Sequence, residues 1–441
     1  MKSISHKKLL PPLAVVSGVR TPFAKAFTSL AGESAVSLGQ AVVTDLLQRG
    51  DVTADDIDEV VFGNVSTPAD AANIARVISL KSGIPFDRPA HSVSRNCASG
   101  MESIAEAWQI IREGRANVII AGGTESMSSV PLLWKPEMQQ WLLRYRRASL
   151  LNRIGMLTEL RPGWFAPVPA LELGLKDPSC GLSMGQTAEV LAREFGITRS
   201  EQDEFALLSH QRATAAWERC FLGGEVLHSV KIPSHGTPVT KDVGPRAGQS
   251  LDALARLKPI FDKEHGTVTA GNSCPITDGA AALLLMTPEE ASSRGLTPLG
   301  YLRGYAVTGC DPRRMGLGPV YAMHRLLIES GHQLSDFDLF EINEAFAVQV
   351  LSCLKAMNSD EFARQELGHT SAWGDIPLDR LNINGGAIAI GHPVGTSGTR
   401  LILTLLRALR ERGLQRGLAS LCVGGGQGMA MWVERELEID S

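Results

Sequence analysis

The stretch NINGGAIAIGHPVGTSG, residues 382–398, places five glycines and one histidine directly before a strongly periodic helical segment. Glycine tolerates positive φ and close backbone approach, so this run predicts a tight loop with a function. His392 is the only titratable side chain in the run, and Pro393 follows it, which predicts a general acid or base. The alternative is a plain glycine turn with a solvent-facing histidine, and the stretch alone leaves both open.

The composition is that of a 441-residue globular chain with a substantial core. Hydrophobic residues make up 44% and charged residues 20%, and a net charge of −4 argues against a nucleic-acid-binding protein. No apolar run approaches the roughly 18 residues of a membrane helix. Seven scattered cysteines without a C-x-x-C pair favour free thiols over disulfides or a zinc site. These features predict a soluble, cytoplasmic protein without a bound metal.

Apolar strands alternate with helical segments in both halves, which predicts a layered α/β fold of parallel βαβ units. Segment 46–58 matches 326–338 at a constant offset of 280, and 99–115 resembles 397–416. This repeat predicts two similarly wound halves. Region 128–274 fits neither half and is predicted to be an inserted lobe. The predicted division is a first half at 1–127 completed by about 275–297, the lobe at 128–274, and a second half at 298–441.

Two cysteines and an asparagine bear on the role of His392. Cys97 lies at the first turn of a predicted helix, where backbone N–H groups and the helix dipole favour an anion. This position predicts a lowered thiol pKa and a covalent nucleophile, the alternative being a small buried apolar residue. Cys422 ends a predicted strand and, taken alone, is better explained as a buried thiol. Asn343 follows an apolar strand, where sites form, although asparagine also caps helices.

Four motifs together resemble the signature set of the thiolase family. They are Asn96-Cys97-x-Ser99-Gly100, Asn343-Glu344-Ala345-Phe346, Gly391-His392-Pro393-x-Gly395-x-Ser397-Gly398 and Cys422-x-Gly424-Gly425-Gly426-x-Gly428. All four occur in the expected order, and the similarity extends through nearly the whole chain. The resemblance implies two βαβαβαββ halves in a layered α-β-α-β-α arrangement, with the lobe as a loop domain over the active site. It also implies a homodimer or homotetramer.

The resemblance further implies a 3-ketoacyl-CoA thiolase that uses coenzyme A as cosubstrate and has no permanently bound cofactor. Cys97, activated by His392, would attack the 3-ketoacyl-CoA and hold the acyl group, while Cys422 would protonate the departing acetyl-CoA. His392 and a water held by Asn343 would form one oxyanion site, and the backbone N–H groups of Cys97 and Gly424 the other. The implied substrate pocket is lined by Ser183, Met184, Phe261, Ser273, Cys274, Met315 and Phe346.

The chain departs from the family pattern at three positions. Short-chain acetoacetyl-CoA thiolases tend to have histidine in place of Ser183, and a serine that often touches pantetheine aligns with Cys274. Ser183 and the long insertion resemble the β subunit of the fatty-acid oxidation trifunctional complex, which usually carries histidine in place of Asn343. We therefore expect a β-oxidation enzyme that prefers longer acyl chains. The alternatives are an acetyl-CoA C-acetyltransferase that forms acetoacetyl-CoA, and a non-catalytic acyl-CoA- or sterol-carrier-like protein that would have lost a catalytic residue.

Residues 135–161 are predicted to dock outside their own subunit. Met138, Trp141, Leu142 and Tyr145 fall at i, i+3, i+4 and i+7, which predicts one apolar stripe of a helix. The range holds six basic and two acidic residues. Such a helix can lie on an anionic membrane surface or bind a partner, here a hydratase/dehydrogenase subunit. The alternative is that the stripe covers the protein's own catalytic face or a second copy.

Overall fold

The computed structural model describes residues 10–437. Its strands are β1 Leu13–Arg20, β2 Ala24–Lys25, β3 Glu59–Gly63, β4 Ala90–Val93, β5 Val118–Glu125, β6 Leu132–Leu133, β7 Val168–Pro169, β8 Thr277–Met286, β9 Gly300–Gly309, β10 Leu339–Ile342, β11 Arg416–Val423 and β12 Gln427–Glu434. Its α-helices are α1 Ala35–Arg49, α2 Ile74–Lys81, α3 Ser99–Arg112, α4 Pro136–Arg147, α5 Leu150–Met156, α6 Ala170–Gly174, α7 Met184–Glu194, α8 Arg199–Glu218, α9 Leu251–Ala255, α10 Pro288–Ser293, α11 Gly318–Ser330, α12 Ala347–Met357, α13 Asp360–Phe362, α14 Ala387–Ile390 and α15 Ser397–Arg412.

The main sheet has ten strands in the order β10-β11-β12-β9-β1-β8-β5-β3-β4, with β2 beside β8. The antiparallel pair β1–β9 joins the two halves. Counted outward from that pair, the first half has the order β1-β8-β5-β3-β4 and the second β9-β12-β11-β10. The second half keeps only an isolated parallel bridge, Phe340 to Leu381, where the first half has β4. The two halves are therefore wound alike, as the sequence repeat predicted.

The sheet is mixed rather than parallel throughout. Parallel pairing is confined to β3–β4, β3–β5 and β10–β11, which are the strands joined through crossover helices. The connection from β11 to β12 is a tight turn, and a turn of that length can only pair strands antiparallel. β8 returns from the inserted region to pair antiparallel with β1 and β5. Because of this return, we propose the same division of the chain that the sequence predicted, with 275–297 completing the first half.

Three hydrophobic clusters define the layers. The central cluster joins apolar side chains of α3 and α15 to strands of both halves. A second cluster packs α11 and α12 on the second half, and a third packs α1 and α2 on the first. Each fully buried aliphatic side chain contributes about 1.5–3 kcal/mol to such packing. The α-β-α-β-α layering predicted for this chain is confirmed, and its central layer brings the N-termini of α3 and α15 side by side.

Residues 136–157 form a helical hairpin, here called the α4–α5 hairpin. Met138 and Trp141 are buried in it, and the Trp141 ring stacks on Tyr145 at 4.8 Å while its Nε1 donates to the Met156 carbonyl at 3.1 Å. Two residues of the predicted stripe, Met138 and Trp141, are therefore covered within the chain itself, while Leu142 and Tyr145 are half-buried. Docking of residues 135–161 outside the subunit stays a prediction. Most of the exposed apolar side chains of the hairpin lie on and after α5: Leu150 is 79% exposed, Leu151 84%, Ile154 68% and Leu157 50%, whereas α4 exposes Leu143 at 59%.

Candidate active site

Cys97 lies in a tight turn between β4 and α3. Asn96 adopts φ +44°, a left-handed conformation that asparagine tolerates better than most residues. Its Nδ2 donates to the Gly424 carbonyl at 2.7 Å, which joins this turn to the glycine turn after β11. Ser99 closes the turn, because its Oγ donates to the Asn96 carbonyl at 2.7 Å and accepts from the Arg95 N–H at 2.9 Å. The thiol is thus presented at the boundary between the halves.

The electrostatics of the Cys97 thiol differ from the sequence-based expectation. Burial raises its pKa above the ordinary 9.0, although the backbone N–H groups of Gly424 and of Cys97 itself hydrogen-bond the sulfur and act in the lowering direction. The predicted lowered pKa is therefore wrong, because desolvation of a thiolate outweighs two amide donors and a helix terminus here. The thiol needs a base to take its proton.

His392 lies in the segment 382–395, here called the His392 loop. Its Nδ1 is 2.5 Å from Ser397 Oγ, and that oxygen is also 3.1 Å from the Pro393 carbonyl. A carbonyl can only accept, so Ser397 donates to Pro393 and accepts from Nδ1–H. Nε2 is then unprotonated, and within residues 10–437 this buried atom has no hydrogen-bond partner. Burial, assisted by Arg400, lowers the pKa of His392 to about 3, so the ring is a neutral base at physiological pH.

Cys422 and Asn343 lie at the ends of neighbouring parallel strands, β11 and β10. Burial, followed by the nearby Cys97 thiol, raises the pKa of Cys422 well above its ordinary value, which keeps this thiol protonated. Asn343 is fully buried, and neither its Nδ2 nor its Oδ1 has a hydrogen-bond partner in the described part of the chain. An unpaired buried amide costs about 1–3 kcal/mol, so its retention points to a role in binding.

A cavity of about 380 Å³ opens onto Cys97. The catalytic candidates on its lining are Cys97 and Gly424, and its other polar or charged lining residues are Ser66, Asn96, Lys176, Asp177 and Ser179. Its apolar walls come from Val65, Met127, Leu171, Leu175, Met184 and Val394. A largely apolar lining with a thiol and a few polar side chains suits a substrate whose reactive group is attached to a hydrocarbon chain.

Of the seven predicted pocket residues, Met184 lines this cavity, at the start of α7, whereas Phe261 and Phe346 do not. Phe261 and Phe346 pack edge to face with each other, their ring centroids 6.1 Å apart, and Phe261 lies against the backbone of Gly185. These positions stay a prediction for substrate contact.

The other four predicted pocket residues do not line it. Ser183 caps α7, with its Oγ accepting from the Gln186 N–H at 3.3 Å. Ser273 lines a separate cavity of about 250 Å³, and Met315 is buried in the core. Cys274 is half-buried, and burial raises its pKa to about 12, with the charge of a Cys97 thiolate adding to the rise. Their contribution to binding stays a prediction.

Sequence reasoning missed the partners that orient these groups. Asn96 and Ser397 belong to the family motifs, but no orienting role was predicted for them, although the spacing of five residues from His392 to Ser397 is a signal in the sequence. Leu171 and Leu175 belong to the inserted region 128–274 and line the cavity that contains Cys97. No local pattern marks those two residues as neighbours of Cys97.

Comparison with known proteins decides the family. The family model for the thiolase N-terminal domain matches residues 13–289, and that for the thiolase C-terminal domain matches residues 296–435. This chain belongs to the thiolase family. The family and fold class predicted from the four motifs are therefore confirmed.

Individual relatives of this thiolase match along nearly their whole length. The 3-ketoacyl-CoA thiolases of Enterobacter sp. (strain 638) and Escherichia coli O9:H4 (strain HS) are 42% and 41% identical to it, over 96% of this chain and 97% of theirs. Human mitochondrial 3-ketoacyl-CoA thiolase, solved in complex with CoA, superposes with a TM-score of 0.85 at 34% identity, covering 98% of this chain and 100% of that one. The acetyl-CoA acetyltransferase of Bacillus anthracis gives 0.84 at 35% identity, with 98% and 100% covered.

Proposed function

We propose that this thiolase is an acyltransferase of fatty-acid β-oxidation, which uses coenzyme A to cleave 3-ketoacyl-CoA into acetyl-CoA and a shortened acyl-CoA. The observation that carries the proposal is Cys97 on the lining of a largely apolar cavity. The unprotonated Nε2 of His392 and the protonated Cys422 supply the base and the acid that this reaction needs. The 3-ketoacyl-CoA thiolases among its relatives match 96% and 98% of this chain, which favours the same activity here.

The first half-reaction makes an acyl-enzyme. His392 Nε2 takes the proton of Cys97, and the thiolate attacks the C3 keto carbon of the substrate. The C2–C3 bond then breaks, so that the acyl group stays on Cys97 and the electron pair leaves on C2 as the enolate of acetyl-CoA. Cys422 gives that carbon its proton.

The second half-reaction returns the acyl group to coenzyme A. The CoA thiol loses its proton to the Cys422 thiolate and attacks the acyl carbon on Cys97. Cys97 departs as a thiolate, and the proton held by His392 returns to it. The N–H groups of Cys97 and Gly424 would stabilise one oxyanion, and Asn343 with His392 the other; each such donor is worth about 3 kcal/mol.

The assembly we propose is a homodimer or homotetramer. β4 is the last strand of the main sheet and pairs only with β3 among the described strands. Its four residues are half-buried, and the strand leads directly into Asn96 and Cys97. An open sheet edge beside the active site is a ready surface for a second copy of the chain. Native mass of the purified protein tests this proposal, and a monomer would contradict it.

We also propose that the α4–α5 hairpin binds an anionic membrane surface, with a hydratase/dehydrogenase subunit as the alternative occupant. The exposed side chains of Leu150, Leu151 and Ile154 form an apolar face on one short helix. Arg146 and Arg147 are exposed at the end of the preceding helix, and the range 135–161 carries a net charge of +4 from six basic and two acidic residues. Apolar side chains beside arginines suit an interface with anionic headgroups.

The location we propose is the cytoplasm, which the bacterial origin of its 3-ketoacyl-CoA thiolase relatives fits. Among residues 10–437, no helix is long and apolar enough to cross a bilayer.

The proposed activity is tested by a thiolysis series from C4 to C16 with purified protein and CoA. We expect kcat/KM to be higher at C10 than at C4, because Leu171, Leu175 and Met184 provide apolar wall. A kcat/KM at least tenfold higher at C4 would favour acetoacetyl-CoA formation instead. If no acyl chain length gave thiolysis although acyl-CoA still bound, the result would favour a non-catalytic carrier protein.

A further inference from the structure

Donor groups of the His392 loop hydrogen-bond to two buried carboxylates, one in each half of the fold. Glu125 ends β5 in the first half, and Glu344 follows β10 in the second. Both side chains are almost fully excluded from solvent. Among the described residues, neither carboxylate forms an ion pair with a basic side chain. Each accepts hydrogen bonds instead from amide and hydroxyl donors.

Glu125 joins the C-terminal end of the loop to the wall of the cavity. Its Oε2 accepts from the N–H groups of Gly395 at 3.1 Å and Val65 at 3.0 Å. Its Oε1 accepts from the Ser66 N–H at 2.9 Å and from Asn64 Nδ2 at 3.3 Å. One side chain therefore fixes the position of the loop, three residues after the histidine, against the segment that lines the cavity.

Glu344 holds the N-terminal part of the same loop. Its Oε2 accepts from Ser209 Oγ at 2.6 Å and from the Ile388 N–H at 3.1 Å, and its Oε1 accepts from Asn382 Nδ2 at 2.9 Å. Asn382 cannot turn its amide to suit another group, because its Oδ1 accepts from the Ile342 N–H at 2.9 Å. The loop is thus held on both sides of His392.

The glycines of the loop match these two carboxylates in space. A Cβ at Gly386 would collide with the Glu344 carboxylate, and a Cβ at Gly395 would lie 2.7 Å from Glu125 Oε2. The absence of a side chain at each glycine is what lets the carboxylate reach the backbone. This pairing gives a physical reason for two glycines in the stretch that the positive-φ argument does not explain.

We infer that Glu125 and Glu344 are positioning residues that hold the His392 ring at the place where it can take the proton of Cys97. The inference rests on the proposed role of His392 as the base for Cys97. Each carboxylate acts through the loop backbone and touches no reacting atom. Because reacting groups must be placed within a few tenths of an ångström, loss of either acceptor should lower kcat by about 10- to 100-fold while CoA binding is retained.

The test compares Glu125→Met and Glu344→Met with the matched amides Glu125→Gln and Glu344→Gln. Methionine has the same length but no acceptor, whereas glutamine keeps one oxygen for Gly395 or Ile388. Asp45→Asn is the control, since Asp45 is a buried carboxylate that accepts from the His228 and Ser229 N–H groups outside the site. We expect kcat to fall in the order wild type, Gln, Met, with KM for CoA within threefold, and Asp45→Asn to keep its kcat.

A second readout is independent of turnover. Iodoacetamide alkylation of Cys97 requires its thiolate, and peptide mapping can report it against alkylation of the exposed Cys220 in the same sample. The charge of Glu125 raises the Cys97 pKa, and both substitutions at 125 remove it, so each Met variant is compared with its matched Gln variant. Relative to Gln, the Cys97 to Cys220 ratio in the Met variant should fall about tenfold near pH 7.5, and the half-maximal pH for Cys97 should rise. An unchanged ratio, or a loss of kcat that simply follows the melting temperature in all five variants, would overturn the inference. Failure of the wild type in thiolysis would refute the proposed activity and leave the alkylation result standing.

Discussion

Two regions break the usual rule that polar groups are exposed and apolar groups are buried. The region around the His392 loop buries polar atoms, whereas the α4–α5 hairpin exposes apolar side chains. At the loop, buried His392 and Asn343 carry polar atoms without a hydrogen-bond partner among the described residues. On the hairpin, Leu151 and Ile154 expose apolar side chains that could have been buried. The first arrangement costs about 1–3 kcal/mol per group and the second forgoes about 1.5–3 kcal/mol per side chain. These unfavourable arrangements are the basis of the two binding proposals: a polar reacting group inside and an apolar partner outside.

If the inner region is the catalytic one, replacing its nucleophile has the largest effect. Cys97→Ser should lower kcat for thiolysis by about 10⁴-fold or more, because an alcohol is far less ionised than a thiol near neutral pH. Incubation of the wild type with acyl-CoA, followed by intact mass and peptide mapping, should place the acyl group on Cys97. An adduct on Cys422 or Cys274 instead would remove Cys97 from the centre of the mechanism.

The two proton-transfer residues of the inner region should fail in different ways. Cys422→Ala should still accept an acyl group on Cys97 but lose exchange of the α-proton of acetyl-CoA, since it lacks the acid at C2. His392→Ala should slow acylation itself. A proton-transfer group typically contributes about 10²- to 10⁴-fold, which sets the size of both losses. Hydrogen–deuterium exchange of acetyl-CoA and single-turnover acylation separate them, and loss of acylation alone in both variants would contradict a division of labour.

The outer region can be changed without touching the inner one. Leu151→Ser combined with Ile154→Ser should lower binding to phosphatidylglycerol-containing vesicles at least tenfold, because two exposed apolar side chains no longer enter the interface. Turnover and native mass should stay as in the wild type. Leu378→Ser, which changes an exposed apolar side chain elsewhere, is the control.

Two other results would redirect the interpretation of the hairpin. Vesicle binding that is absent in the wild type and replaced by co-purification with a hydratase/dehydrogenase subunit would favour the protein partner. Collapse of the oligomer or of activity in the double variant would show that the hairpin covers a second copy or the catalytic face.

The smallest expected effect concerns stability and follows from the buried neutral ring of His392. The unfolded ring binds a proton below its ordinary pKa of 6.5, whereas burial keeps the folded ring neutral down to about pH 3. The contribution of His392 to the free energy of unfolding is therefore fully present above pH 6.5 and is lost as the pH falls. At 1.4 kcal/mol per pH unit, the loss is about 2 kcal/mol at pH 5. Urea unfolding of His392→Gln at pH 7 and pH 5 should show a shallower loss than the wild type. The exposed His265→Gln is the control, and equal losses in all three proteins would contradict the prediction.

The sequence alone determined the features that depend on local pattern and on order along the chain. The offset of 280 predicted equivalent strands, and β3 and β10 begin 280 residues apart, at Glu59 and Leu339. Helix and strand periodicities depend on side chains within a few residues of one another, so they can be predicted without knowing the fold. The four motifs gave the family for the same reason, since each is a short run of fixed spacing.

Only the tertiary structure decided how far burial overrides those local preferences. The helix N-terminus predicted an acidic Cys97 thiol, but desolvation by the assembled halves raised its pKa instead. The sequence predicted docking through an apolar stripe on α4, but Trp141 is buried against Tyr145 of the same helix and Met156 of the returning chain, while Leu151 and Ile154 of α5 are exposed. Glu125 reaches Gly395 across 270 residues of sequence, a contact that no local pattern encodes. Which groups lose water, and which meet, is fixed by contacts between distant segments, and these exist only in the folded chain.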